Sequence, residues 1–160
     1  MVLHPHPEMA GDSSHPFVVE VAKRLTALGL QVSTPDVRDP DVARAVAWLR
    51  EVAESVDADR RVLVGYSWGS VVVAHARPVD LVARVLVAPP LSLGAGIAAI
   101  DVPTLVLVPE HDQFGDIAAT RAALGGQELA TVEVIGGADH FLWGFVDVIA
   151  DRVAQWIRER

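Results

Sequence analysis

Short runs of apolar residues alternate along the chain with longer stretches in which apolar and polar residues are mixed. The runs are rich in valine and leucine and are bounded by glycine, proline or charged residues, which is typical of strands buried on both faces of a parallel sheet. We predict about six strands. They lie at residues 1–3, 30–34, 61–64, 84–88, 104–108 and 131–135.

The mixed stretches place apolar residues three and four positions apart, as in helices that pack one face on a sheet. We predict helices at residues 16–28, 41–55, 117–124 and 143–158, and another that follows residue 69 and ends near residue 77. The alternation of strands and helices, without repeats or a linker, predicts a single α/β domain over residues 1–160. Its fold class would be a three-layer α/β/α sandwich with a mostly parallel sheet.

Composition and charge exclude several classes of protein. The chain has 160 residues, of which 51% are hydrophobic, and a formal net charge of −8. An acidic chain is a poor partner for nucleic acid or an anionic membrane, and no apolar run reaches the length of a membrane span. There is no cysteine, so neither a disulfide framework nor a thiolate nucleophile is expected. The first residues lack the pattern of a signal peptide, which favours a cytoplasmic protein.

Ser67 is the first candidate for chemistry. It lies in the middle of the segment Gly-Tyr-Ser-Trp-Gly at residues 65–69, between an apolar strand and a helix that starts with small residues. Gly-x-Ser-x-Gly in this context is typical of a nucleophile elbow, a strained turn that lifts the serine hydroxyl above the sheet. The alternative is an ordinary turn serine, because the bare motif is common.

Two more polar residues follow strands further along the chain. A serine nucleophile needs a base, most often a histidine that is oriented by a carboxylate. Asp112 follows the strand at 104–108 and His140 follows the strand at 131–135. The order Ser67, Asp112, His140 is the order of the α/β-hydrolase triad, and the carboxyl ends of parallel strands share one edge of a sheet.

Neighbouring residues compete for these roles. Glu110 and Asp116 are alternative acids, and Asp116 could instead cap the next helix. His111 is an alternative base that could also be a solvated loop residue. Asp112 and His140 fit the loop positions best.

The chain resembles the α/β hydrolases, and in particular the small lidless, dienelactone-hydrolase-like members with a His-Pro-His-Pro loop. Nearly the whole chain takes part. The matching motifs lie at residues 4–7 with Gly11, 36–38, 65–69, 88–90, 103–105, 110–112 and 137–141. The resemblance implies a minimal fold without a cap domain, in which Ser67 is the nucleophile, Asp112 the acid and His140 the base.

The chain departs from the family pattern in three places. The Gly-rich segment that follows the equivalent of Arg38 in relatives is cut to two residues, the first two strands of the larger fold are missing, and the strands at 84–88 and 104–108 leave no room for a cap. Caps and long loops usually select the substrate, so the resemblance leaves the substrate open.

The oxyanion hole requires two backbone N–H groups. One candidate is the N–H of Trp68, and the other should come from the His-Pro-His-Pro loop. Pro5 and Pro7 have no N–H, which leaves His6 or Glu8. Alignment of the loop with the His-Gly pair of many relatives favours His6.

Aromatic residues and histidines near these loops are candidates for the substrate pocket. We expect His4, Phe141 and Trp143 to line it. Histidines 4, 6 and 15 could also be interpreted as metal ligands, but they lack an accompanying carboxylate pattern. We therefore expect no metal and no cofactor.

These features predict a serine hydrolase that cleaves small carboxylic esters through an acyl-serine intermediate. The main alternative is a non-catalytic binding protein with the same fold, which the shortened loops favour. A thioesterase, acyltransferase or carbon–carbon hydrolase would use the same triad. The expected partner is a small ester-like molecule. A homodimer could form through the strand at 30–34, which we expect at an exposed sheet edge.

Overall fold

A parallel sheet with helices on both faces forms the framework of the computed structural model, which describes residues 1–94 and 96–160. Within these ranges the sheet has five strands in the order β1-β2-β3-β4-β5. The strands are β1 (Val2–Leu3), β2 (Arg61–Tyr66), β3 (Leu81–Val87), β4 (Thr104–His111) and β5 (Ala130–Asp139). All four neighbouring pairs are parallel. The predicted α/β class and parallel sheet are therefore confirmed.

Five α-helices in the described residues cover the sheet. They are α1 (Pro16–Ala27), α2 (Val42–Ser55), α3 (Trp68–His75), α4 (Ile117–Ala123) and α5 (Val146–Arg158). Apolar residues of α1 and α5 form one core with one face of the strands, and those of α2 and α3 form a second core with the opposite face. Both faces of the central strands are consequently buried, which explains their continuous apolar sequences.

The predicted strand at 30–34 is wrong, and the described part of the chain forms five strands rather than six. Residues 30–41 run as irregular backbone, and one backbone hydrogen bond, from Val2 N–H to the Ser33 carbonyl at 3.0 Å, ties them to β1. The neighbouring strand β1 is only two residues long and offers little backbone for pairing. Pro35 and Pro40, which lack an N–H, also interrupt any longer ladder.

β4 and β5 are longer than predicted, and this difference places the site. Their pairing continues past residues 108 and 135 until His111 lies beside Asp139. The next residue of each strand therefore leaves the sheet at the same point. A register between two strands is a tertiary property, so the lengths of the separate apolar runs did not reveal it.

The connection from β3 to β4 contains only a short 3₁₀ helix, Leu91–Leu93, among its described residues. The predicted connection at residues 91–101 includes residue 95, which lies outside the described residues. In residues 1–94 and 96–160, no helix has the length and apolar character needed to cross a membrane.

Candidate active site

Ser67 occupies a strained turn between β2 and α3. Its φ is 52° and its ψ is −121°, a backbone conformation that residues other than glycine rarely adopt. A Cβ atom at Gly65 would collide with the carbonyl oxygen of Gly69, and one at Gly69 would collide with the carbonyl oxygen of His4. The glycines of this segment therefore allow α3 to pack closely against β1 and β2.

Ser67, His140 and Asp112 form a continuous chain of hydrogen bonds. Ser67 Oγ lies 2.8 Å from His140 Nε2, and His140 Nδ1 lies 2.9 Å and 3.0 Å from the two carboxylate oxygens of Asp112. A carboxylate can only accept, so Nδ1 carries the proton and Nε2 of the neutral ring accepts from the Ser67 hydroxyl. The structure thus brings together the three residues that the sequence singled out.

Backbone groups fix the orientation of the Asp112 carboxylate. Its Oδ1 accepts hydrogen bonds from the N–H groups of Phe114 at 2.8 Å and Gly115 at 2.9 Å. The Asp112 side chain is fully buried, and His140 is 7% exposed at its side chain. Burial of a hydrogen-bonded network strengthens each of its interactions, because little water competes for them.

The two alternative acids, Glu110 and Asp116, make hydrogen bonds elsewhere, and the alternative base, His111, is exposed. Glu110 accepts from Gly137 N–H at 2.7 Å and ties β4 to β5. Asp116 caps α4 by accepting from Ala119 N–H at 2.6 Å. The side chain of His111 is 67% exposed. None of the three contacts Ser67 through a hydrogen bond in the described residues.

Tyr66 was not among the residues predicted for the site, yet it packs beside the His140 ring, with ring centroids 5.9 Å apart. Its buried hydroxyl donates to the His140 carbonyl at 2.7 Å. Burial raises the pKa of Tyr66 far above its ordinary value, and the charges of Asp112 and Asp139 act in the same direction. The hydroxyl therefore remains a donor. Its place directly before the nucleophile was the only signal in the sequence.

His4 lies behind the cleft wall and does not line the pocket, contrary to prediction. It is 1% exposed, and its Nε2 accepts from Val37 N–H at 2.9 Å, while Nδ1 donates to the Pro5 carbonyl at 2.6 Å. The C=O and N–H of a trans peptide point in opposite directions. Because His4 holds the Pro5 carbonyl, the N–H of His6 points away from His4.

The N–H groups of Trp68 and His6 are the two candidates for an oxyanion hole. Neither donates to another group in the described residues. Trp68 is the first residue of α3, where backbone N–H groups have no partner within the helix. The alternative donor, Glu8 N–H, is used by His6 Nδ1 at 3.2 Å, which leaves the His6 N–H as the better candidate from the loop.

The hydroxyl of Ser67 opens into a cleft of about 580 Å³. Most of the lining is apolar or aromatic, with four histidines and Ser67 as its polar side chains. The lining residues are Pro5, His6, Met9, His15, Val42, Tyr66, Ser67, Trp68, Val71, His75, Pro90, Leu93, Gly94, Gly96, Phe114, His140 and Phe141. An apolar cleft with few polar groups at its centre is typical of a small-molecule site.

Phe141 lies in the lining of this cleft, whereas Trp143, which we also expected to line the substrate pocket, does not. Trp143 is 80% exposed and stands in a turn before α5, which begins at Val146 rather than at residue 143. In that turn Leu142 adopts a φ of 60° and is fully buried. The next residue is consequently directed to solvent.

The three histidines considered as metal ligands are engaged elsewhere. His6 and His15 each accept a backbone N–H at Nδ1, from Glu8 and Phe17 respectively. Within the described ranges no group of three or more histidine or acidic side chains has the arrangement needed to hold a metal ion.

Comparison with protein-family models and with curated proteins gives no match. Solved structures are similar. An α/β serine hydrolase homologue from Coxiella burnetii is 24% identical with a TM-score of 0.78, over 96% of this chain and 82% of its own. An α/β serine hydrolase without a lid from Xanthomonas campestris is 20% identical with a TM-score of 0.72, over 99% and 79%.

A second X. campestris protein, of the α/β superfamily of hydrolases, is 21% identical with a TM-score of 0.85, over 99% of this chain and 97% of its own. Together these similarities show that the chain has the α/β-hydrolase fold. In that fold the nucleophile, acid and histidine follow one another in the order seen here.

Proposed function

We propose that this protein is a serine hydrolase that cleaves small carboxylic esters. The hydrogen-bonded chain from Ser67 through His140 to Asp112 is the observation that carries the proposal. A turn serine in a binding protein needs neither a base nor a buried carboxylate in register with it. The similar structures are named as α/β hydrolases, which supports hydrolysis in general and not a particular substrate.

The reaction would proceed through an acyl-serine intermediate. As Ser67 Oγ attacks the ester carbonyl, His140 Nε2 takes its proton and Asp112 stabilises the resulting imidazolium. His140 then gives this proton to the leaving alcohol. A water molecule attacks the acyl group in the second half, again with His140 as base, and releases the acid and free Ser67.

Backbone N–H groups would stabilise the negative charge that develops on the carbonyl oxygen. In the proposed arrangement the donors are Trp68 and His6. In known cases, removal of one such donor costs about 3–4 kcal/mol of transition-state stabilisation and so lowers the rate. Neither donor needs to move during the reaction. Trp68 is held in α3, and the hydrogen bond from His4 Nδ1 to the Pro5 carbonyl holds the peptide group that contains the His6 N–H.

Labelling with a fluorophosphonate probe tests the proposal. We expect the wild-type protein to be labelled and Ser67→Ala to remain unlabelled, while both show the same melting temperature. No labelling of the wild type would favour a non-catalytic binding protein. Parallel assays with ester, thioester and amide substrates distinguish an esterase from a thioesterase or an amidase.

A further inference from the structure

Helix α3 presents one of its faces to the cleft. Trp68, Val71 and His75 are spaced by three and four residues, share this face and line the cleft, while Val72 and Val73 are fully buried in the core. The cleft therefore follows α3 from Ser67 at its N-terminus to the last residue of the helix. Eight residues of helix correspond to about 12 Å.

We call the part of the cleft that follows α3 from Ser67 to His75 the α3 arm. His75 places a hydrogen-bond acceptor at the far end of this arm. Its Nδ1 lies 2.8 Å from the carbonyl oxygen of Val71, one turn earlier in α3. Because a carbonyl only accepts, Nδ1 carries the proton, and Nε2 of the neutral ring is left as an acceptor on the edge away from the helix. The side chain is partly exposed, so a ligand in the cleft can reach it.

The two sides of Ser67 differ in their lining. Phe114 and Phe141 surround His140, with ring centroids 4.8 Å and 5.8 Å from its ring. The leaving alcohol must lie on this side, because His140 protonates it. The acyl group is then directed along α3, where Val42 and Val71 make the middle of the arm apolar.

We infer that His75 is a specificity-determining residue that selects acyl groups with an apolar middle and a terminal hydroxyl. The inference rests on the proposed ester hydrolysis. Side chains of a helix tilt toward its N-terminus, so the His75 ring reaches back toward Ser67. The helix rise then leaves a gap of about 9 Å between Ser67 Oγ and His75 Nε2. The hydrogen bond to Nε2 takes up about 3 Å of this gap, which leaves about 6 Å for the chain. An extended chain advances about 1.2 Å per bond, so about five bonds join Ser67 Oγ to the terminal oxygen, which corresponds to an acyl group of four carbons.

The test compares methyl esters that differ only at the terminus: butanoate, ω-hydroxybutanoate and ω-methoxybutanoate. The methoxy group retains the oxygen but cannot donate. We expect the wild-type kcat/KM to be about three- to tenfold higher for the hydroxy than for the methoxy ester, the range of one neutral hydrogen bond. The methyl esters of hydroxyacetate and methoxyacetate, which are too short to reach His75, should show no such ratio.

His75→Leu should abolish the ratio for the butanoates, which is taken between two substrates of the same variant and therefore does not depend on its rate on plain butanoate. His75→Gln, which can still present an acceptor, should restore part of it. An unchanged ratio in His75→Leu, or an equal loss on all three esters, would overturn the role of His75 alone. Failure of the wild type to hydrolyse any ester would instead overturn the proposed function.

Discussion

The carboxylate of Asp112 determines which nitrogen of His140 carries the proton. Both of its oxygens face Nδ1, and two backbone N–H groups prevent the carboxylate from turning away. This arrangement makes Nε2 an acceptor toward Ser67. A change of one atom at residue 112 should therefore abolish the proposed catalysis without disturbing the fold.

We predict that Asp112→Asn lowers kcat for ester hydrolysis by about four orders of magnitude. The amide would donate to Nδ1 and so favour the tautomer with the proton on Nε2, which cannot accept from Ser67. The measurement is steady-state hydrolysis of methyl butanoate at neutral pH. Asp116→Asn is the matched control, because asparagine also caps a helix well, and it should retain wild-type activity. Activity of Asp112→Asn close to that of the control would contradict the assignment of the acid.

Among the elements, α1 has an N-terminal cap that depends on pH. Nδ1 of His15 accepts the N–H of Phe17 at 3.2 Å, and it can do so only while it is unprotonated. Burial lowers the pKa of His15 below its ordinary value of 6.5, and this outweighs the opposing charge of Asp12. The unfolded chain therefore binds a proton at this site before the folded protein does.

The free energy of unfolding should consequently be highest above about pH 6.5 and fall as the pH drops below it through the lowered pKa of His15. His15→Asn keeps a capping oxygen at every pH, and this variant should lose less stability on acidification than wild type, by about 1 kcal/mol. Urea unfolding of both proteins at about pH 7.5 and about pH 5 measures the difference. Equal losses in the two proteins would show that the cap does not titrate.

At the scale of the whole molecule, Arg84 connects β3, α3 and the loop before β4. Its side chain is fully buried, Nη1 donates to the Ala74 carbonyl at 2.8 Å, and Nη2 pairs with Asp101. Burial lowers the pKa of Arg84 to about 10, so it remains charged at neutral pH. Arg77 pairs with the same Asp101 carboxylate at 2.6 Å but is one-third exposed.

We predict that Arg84→Ala lowers the free energy of unfolding by about 3 kcal/mol, because it leaves a cavity and removes one of the two donors to the Ala74 carbonyl, the other being Arg77 Nη1 at 3.0 Å. Arg84→Met keeps most of the volume and should lose less. Arg77→Ala breaks a more exposed pair and should lose about 1 kcal/mol or less. Urea denaturation measures all three. A smaller loss for Arg84→Ala than for Arg77→Ala would contradict this account.

The edges of the sheet also belong to this scale. Residues 30–34 cover β1 only loosely, whereas the opposite edge is formed by β5, ten residues long and partly exposed. A homodimer through a sheet edge remains a prediction, and β5 now offers the longer backbone for it than the segment at 30–34.

The amino-acid sequence by itself determined the α/β class, the approximate positions of the five strands and their helices, and Ser67 as the residue in the strained turn. These follow from local physics: the spacing of apolar residues and the glycines on either side of the serine are properties of neighbouring residues. The order of Asp112 and His140 along the chain also marked them as candidates before any distance was known.

Only the tertiary structure decided which of these residues meet and which face the cleft. The alternating segment at 30–34 looked like a strand, but a strand requires a partner, and β1 is too short to be one. The register between β4 and β5 brought Asp112 beside His140. The turn at Leu142 directed Trp143 to solvent, and the packing of α3 directed His75 into the cleft. Each depends on contacts between residues distant in sequence, which no local pattern records.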